Sequence, residues 1–234
     1  MSLWGAKPRW LTFDCYGTLI QWDEGLLAAV ADILRRGGRG DVDPHKVLLA
    51  YDAIEHELEQ TPPFRKFRDI VGESLKSAMA EVDVEIGPAE VGFLTDRIAA
   101  MSPFPETVPT LKELKRAGYR LCIVSNTEDS VIAGNVAQLG GTIDRVVTAE
   151  QAKAYKPDEA LFRHAWRSIG ARPEEVVHIC ASPRLDLAAA RELGFRCVWI
   201  DRGTGREPLP DYAPDAVLSD LAGVPELFAE AGWD

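Results

Sequence analysis

Four short apolar runs, separated by helical patterns, constrain this chain more than any other feature. They are Trp10-Leu11-Thr12-Phe13, Tyr119-Arg120-Leu121-Cys122-Ile123-Val124, Val176-Val177-His178-Ile179-Cys180 and Cys197-Val198-Trp199-Ile200. Arg145–Thr148 and Asp215–Leu218 are weaker candidates of the same kind. Runs this short and this continuously apolar read as strands buried on both faces, which requires a parallel sheet covered by helices. The intervening segments supply the helices. Thr107 to Ala117 closes with Gly118, Pro157 to Ile169 with Gly170, and Pro183 to Leu193 with Gly194. Glycine just past a helix end, and proline near its start, follow from the backbone each residue permits. The expected fold class is α/β, a doubly wound parallel sheet of Rossmann-like type.

Residues 21–102 break the alternation, because they contain no convincing strand. Val47, Tyr51, Ile54 and Leu58 recur at helical spacing, as do Val71, Leu75, Ala78 and Val82, then Val91, Leu94, Ile98 and Met101. Pro62-Pro63 and Gly87-Pro88 punctuate them, and Gly37-Gly38-Arg39-Gly40 reads as a loop ending a helix. The expected organisation is an α/β core of residues 8–20 and 103–234 with an inserted all-helical cap of residues 21–102. The insertion leaves just past the carboxyl end of the first strand, the edge at which open α/β sheets bind ligands.

Charge and cysteine usage exclude several classes. The 234 residues carry a formal charge of −11, which disfavours nucleic acid and anionic membrane as partners. No apolar stretch approaches the ~20 residues that span a bilayer. Met1 to Pro8 lacks the apolar run of a signal peptide. Cys15, Cys122, Cys180 and Cys197 are far apart, with no C-x-x-C pair, so buried free thiols in a cytoplasmic protein are expected. His45, His56, His164 and His178 show no metal spacing and read as surface or packed residues. There is no G-x-S-x-G elbow, dinucleotide fingerprint or P-loop.

Polar side chains fall at or just beyond the strand ends: Asp14, Ser125 and Asn126, Lys156, and Asp186. In a parallel sheet those ends share one edge, so a carboxylate, an ammonium and hydroxyl or amide donors converge beneath the insertion. For Asp14 alone, a turn or cap role would serve equally well.

These segments carry a resemblance. Phe13-Asp14-Cys15-Tyr16-Gly17-Thr18-Leu19 resembles the first motif of the haloacid dehalogenase superfamily, and Val124-Ser125-Asn126-Thr127 the second. Tyr155-Lys156-Pro157-Asp158 resembles the third, and Cys180 to Asp186 a degraded fourth. The order is that of the family, the insertion lies where a helical cap belongs, and the similarity spans nearly the whole chain. In the phosphatase branch a second Asp, two residues after the nucleophile, protonates the departing alkoxide. Here that position is Tyr16. A positioned acid is worth about 10²–10⁴-fold in rate for such a group, whereas halide leaves unprotonated. The resemblance is therefore to the L-2-haloacid dehalogenase branch, which also has tyrosine there.

The resemblance implies hydrolysis of short 2-haloalkanoic acids in two steps. Asp14 displaces halide with inversion, and water then hydrolyses the aspartyl ester. Lys156 would keep Asp14 ionised. Thr18, Ser125 and Asn126 would orient Asp14 or hold the substrate carboxylate. Asp186 would position Lys156 and the hydrolytic water, or else simply pair with that lysine. Tyr16, Cys15 and Ser182 are expected along the substrate pocket. The cap arginine that grips halide in this branch has no counterpart near Leu49-Ala50-Tyr51-Asp52, so Arg65 or Arg68 is the expected substitute, the alternative being a solvated basic face. Phe162 stands where the branch has a tyrosine, and the fourth-motif asparagine has no match. No metal or cofactor is expected, with room for weak Mg²⁺ binding at Asp14 and Asp186. The partner is a small anionic substrate, and the chain a monomer or homodimer. A Mg²⁺-dependent small-molecule phosphatase and a catalytically weak binding module remain the alternatives.

Overall fold

The computed structural model describes residues 5–233. Six strands form one parallel sheet: β1 (Trp10–Phe13), β2 (Arg120–Ser125), β3 (Arg145–Thr148), β4 (Val176–Cys180), β5 (Arg196–Ile200) and β6 (Ala216–Leu218). Their spatial order is β3-β2-β1-β4-β5-β6, so the sheet grows outward in both directions from β1. Continuous apolar strands are explained by burial on both faces. Leu11, Phe13, Leu121, Ile123, Ile179 and Val198 enter one cluster, while their neighbours Trp10, Cys122, Val124, Cys180 and Cys197 enter another. Successive side chains point to opposite faces of a strand, so a sheet with two covers needs apolar residues at every position. All four cysteines are buried free thiols.

Four helices fill residues 21–102, between β1 and the helix that leads into β2: α1 (Trp22–Arg36), α2 (Pro44–Gln60), α3 (Phe67–Ala80) and α4 (Pro88–Ala99). Asp43 caps α2 by accepting a hydrogen bond from the His45 amide, and Pro44 occupies the first turn, where its missing N–H costs nothing. The helices pack through stripes such as Leu26, Val30 and Ile33 of α1 and Val71, Leu75 and Ala78 of α3. They hang from a narrow stem. Ile20 bridges Pro103 in antiparallel fashion, and the Gln21 amide donates to Ser102 O at 3.0 Å.

The remaining helices are α5 (Thr107–Arg116), α6 (Asp129–Ala137), α7 (Ala149–Ala152), α8 (Glu159–Ile169), α9 (Ala188–Leu193) and α10 (Val224–Glu230). α8 starts at Glu159 rather than Pro157, because the Asp158 side chain caps it by accepting from Ala160 N. α9 is shorter than the sequence pattern suggests. Pro183–Leu187 forms a wide π-helical turn first, and Asp186 lies on it. α6 also meets the inserted helices: a Cβ at Gly134 would lie 2.4 Å from Ala99 O, so only glycine permits that approach. No helix among the described residues is long and apolar enough to cross a membrane.

Candidate active site

Asp14 follows β1 directly, and its amide donates to Ile179 O of β4 at 3.0 Å, which fixes the residue at the carboxyl edge of the sheet. The chain then folds back tightly. The amides of Thr18, Leu19 and Ile20 all converge on Cys15 O, and Gly17 takes φ +81°, a region that side chains with a Cβ avoid. This turn aims Thr18 at the nucleophile position. Thr18 Oγ1 donates to Asp14 Oδ2 at 2.7 Å and accepts from Ala181 N at 2.9 Å.

Lys156, entirely buried, places Nζ 2.7 Å from Asp14 Oδ1 and 2.8 Å from Asp186 Oδ1. Burial pulls its pKa down, and the two carboxylates overcome that pull, holding it above the ordinary lysine range. Burial pushes Asp186 up, while Lys156 and a hydrogen bond to His178 hold it below the usual carboxylate value. His178 extends the chain of contacts: its Nε2 lies 2.9 Å from Asp186 Oδ1 and its Nδ1 2.8 Å from Thr12 Oγ1. The sequence reading took His178 as a packed residue with no site role, because only the register of β1 against β4 brings Thr12 beside it.

Asn126 ties the second and third motif segments together. Its Oδ1 accepts from Lys156 N at 2.6 Å, and its Nδ2 donates to Glu59 Oε2 at 2.9 Å and Lys156 O at 3.3 Å. The Ser125 hydroxyl is fully buried and without a hydrogen-bond partner among the described residues. Above Asp14 lies a cavity of about 440 Å³. Tyr16, Ser125, Asn126 and Ser182 line it, as expected from the sequence. Tyr16 presents its ring to the cavity beside Trp22 (centroids 4.9 Å apart), and its hydroxyl donates to Asn135 Oδ1 at 2.9 Å. Burial raises the Tyr16 pKa well above the ordinary phenol value.

Three expected pocket residues are not brought there. Cys15 is buried in the apolar core and absent from the cavity lining. Arg65 pairs with Glu73 at 2.6 Å, and Arg68 with Glu128 and Ser130. Arg65 sits in the α2–α3 connection and Arg68 in the first turn of α3, and each turns toward its acidic partner, the exposed Glu73 and the buried Glu128, rather than toward Asp14. The lid side of the cavity carries instead Asp52, Glu55, His56 and Glu59 of α2, with Phe67 of α3. Arg184 and Arg206 complete it from the core side. The heptad-like spacing of 52, 55, 56 and 59 is visible in the sequence, but which face of α2 meets Asp14 is not.

The residues do not fit a magnesium ion. Asp14 Oδ1 and Asp186 Oδ1 are both taken by one ammonium, and neither Ala181 nor Ser182, the two positions at which the resemblance would place an early acid, carries a carboxylate. A divalent cation there would sit against Lys156. His178, Cys180 and Asp186 do bring potential ligand atoms within 4.8 Å of one another, but Asp186 Oδ1 is already occupied by His178 and Lys156.

A family model for haloacid dehalogenase-like hydrolases matches residues 8–194. The chain belongs to that family. Its relatives include (S)-2-haloacid dehalogenase 4A of Burkholderia cepacia, 27% identical over 210 residues and covering 88% of each chain. Phosphoglycolate phosphatase 1 of Pseudomonas aeruginosa is 26% identical over 226 residues, covering 92% of this chain and 77% of that protein. The L-2-haloacid dehalogenase of Xanthobacter autotrophicus superposes with a TM-score of 0.83 at 19% identity, covering 95% of this chain and 99% of that one. This last similarity establishes the fold. Membership in the hydrolase family accounts for the sheet order, the motif order and the inserted helices together.

Proposed function

We propose that this member of the family hydrolyses carbon–halogen bonds, acting on short 2-haloalkanoic acids through an ester on Asp14. A carboxylate oxygen of Asp14 attacks the halogen-bearing carbon in line, and the C–X electron pair leaves with the halide. Water then adds to the Asp14 carbonyl carbon, and the acyl C–O bond breaks. The 2-hydroxy acid departs, a proton goes to solvent, and Asp14 is restored. Lys156 and Thr18 each hold one oxygen of Asp14 and so fix it in one orientation, and little reorganisation remains at the moment of attack. Ser125 Oγ, buried and free to donate, suits the carboxylate of the substrate.

The observation that carries this reading is the state of Tyr16. Its single proton is engaged by Asn135 Oδ1, and its pKa is raised, so it is a poor acid for an alkoxide leaving group. Halide needs none. The relatives named as 2-haloacid dehalogenases support the same conclusion, while the phosphatase relative supplies the control. Purified protein is expected to release halide from bromoacetate, chloroacetate or L-2-chloropropionate without metal. A single turnover in H₂¹⁸O is expected to label the Asp14 carboxylate. Turnover of a phosphate ester that EDTA abolishes, with no halide released from any of the three acids, would refute the proposal.

A further inference from the structure

A short haloacid leaves most of the 440 Å³ cavity unused, and the unused part has a definite chemistry. Asp52, Glu55 and Glu59 project from one face of α2 at i, i+3 and i+7. Glu55 and Glu59 are like charges one turn apart, an arrangement that destabilises a helix unless something offsets it. Among the described residues neither has a cationic partner. Glu55 Oε1 accepts from Tyr51 OH at 2.7 Å, and Glu59 Oε2 accepts from Asn126 Nδ2 at 2.9 Å. Of the cavity's two arginines, one is committed to the core side and the other already pairs with Asp52, leaving Glu55 and Glu59 without an arginine. Arg206 is held by Asp23 through two bonds of 2.9 Å, and Arg184 lies 3.7 Å from the outermost carboxylate, Asp52. Burial, reinforced by neighbouring carboxylates, raises Glu55 to about 7 and Glu59 well above the usual value, and for Glu59 the opposing pull of the Asn126 hydrogen bond and of Lys156 does not offset it.

A second, independent observation shows that the same cavity awaits a ligand. The Ser125 hydroxyl, fully buried beside Asp14, lines it and has no partner within the described protein. The cavity thus has two poles. A lone hydroxyl donor stands near the nucleophile and suits an anion. Carboxylates stand on the lid, and the aromatic rings of Tyr16, Trp22 and Phe67 line the same cavity. Aromatic faces with carboxylates behind them bind alkylated ammonium groups, through the ring quadrupole and direct charge attraction.

We propose that the α2 face of Asp52, Glu55 and Glu59 is a subsite for a cationic tail, so that the preferred substrate is a 2-haloalkanoic acid whose chain ends in an ammonium group. This rests on the dehalogenase reading of Asp14 and names the substrate class for the same site. No arginine of the described chain pairs with Glu55 or Glu59: the substrate brings the positive charge there.

The test compares 2-bromo-6-(trimethylammonio)hexanoate with its neutral isostere 2-bromo-7,7-dimethyloctanoate, using bromoacetate to report the chemistry alone. The cationic acid should exceed the isostere in kcat/KM by at least about tenfold. In Glu55→Gln and Glu59→Gln that ratio should fall toward one. Because it is taken within each variant, partial loss of folded protein cancels. A parallel calorimetric titration uses the unreactive pair 6-(trimethylammonio)hexanoate and 7,7-dimethyloctanoate, and decides the subsite whether or not halide is released. Tighter binding of the cation with no halide from any bromo acid would refute the dehalogenase reading and leave the subsite standing. Bromoacetate turnover with no preference for the cation in either arm would overturn the subsite alone.

Discussion

Replacing Lys156 by Met should convert the best-ordered part of this site into its least stable one. Its Nζ lies 2.7 and 2.8 Å from two carboxylate oxygens and is wholly buried. At an effective dielectric of about 20, each contact corresponds to about 6 kcal/mol of gross attraction. Most of that is offset by taking three charged groups out of water. Removing one partner leaves the others buried and uncompensated, at a net cost of about 3–5 kcal/mol. For a chain of this length that is a fall in Tm of about 6–20 °C. The pH dependence should also change sign. In the wild type Asp186 is held low, so its contribution is complete above the unfolded carboxylate value of about 4 and is lost as pH falls through the lower folded value. Without the ammonium, burial raises Asp186 above its unfolded value. The folded variant then binds more protons than the unfolded chain, and its stability falls as pH rises from about 4 to about 7. Urea unfolding followed by tryptophan fluorescence across that range measures both quantities. Adding Asp186→Asn should recover part of the loss, since one orphaned charge disappears. A Lys156→Met protein that loses less than about 1 kcal/mol, or whose stability falls no more steeply than the wild type's between about pH 4 and 7, would refute the reasoning.

Three further substitutions, one of them a control, test how the lid is joined to the core. Tyr16→Phe removes the donor to Asn135 Oδ1 and should cost about 1 kcal/mol in urea unfolding while leaving halide release within about threefold; a hundredfold loss would make the hydroxyl a proton donor after all. Gly134→Ala drives a Cβ to 2.4 Å from Ala99 O and should destabilise by about 1–3 kcal/mol, whereas Gly92→Ala, facing open space on α4, should stabilise by about 0.5–1 kcal/mol; equal Tm shifts would contradict the close approach of α6 to the lid.

Sequence and tertiary structure divide the explanation of this protein unevenly. The sheet follows from the apolar runs, because strands covered on both faces need apolar side chains at every position, and that demand is written locally. Asp14, Ser125, Asn126, Lys156 and Asp186 were legible for the same reason: each lies at or just past a strand end, and a parallel sheet gathers those ends at one edge. Four features depended instead on how elements dock. His178 sits mid-strand in an apolar run and gains its role only from the register that sets Thr12 on one side and Asp186 on the other. The Tyr16 hydroxyl finds Asn135, 119 residues away. Arg65 and Arg68 carry the charge expected of an anion grip but face Glu73 and Glu128. The carboxylate face of α2 looks, in sequence, like any solvated helix surface. What turns it toward the nucleophile is the rotation of α2 about its own axis, set by apolar packing of Val47 and Tyr51 against its neighbours. A helix's periodicity specifies which residues share a face, whereas the direction that face points is decided by long-range packing.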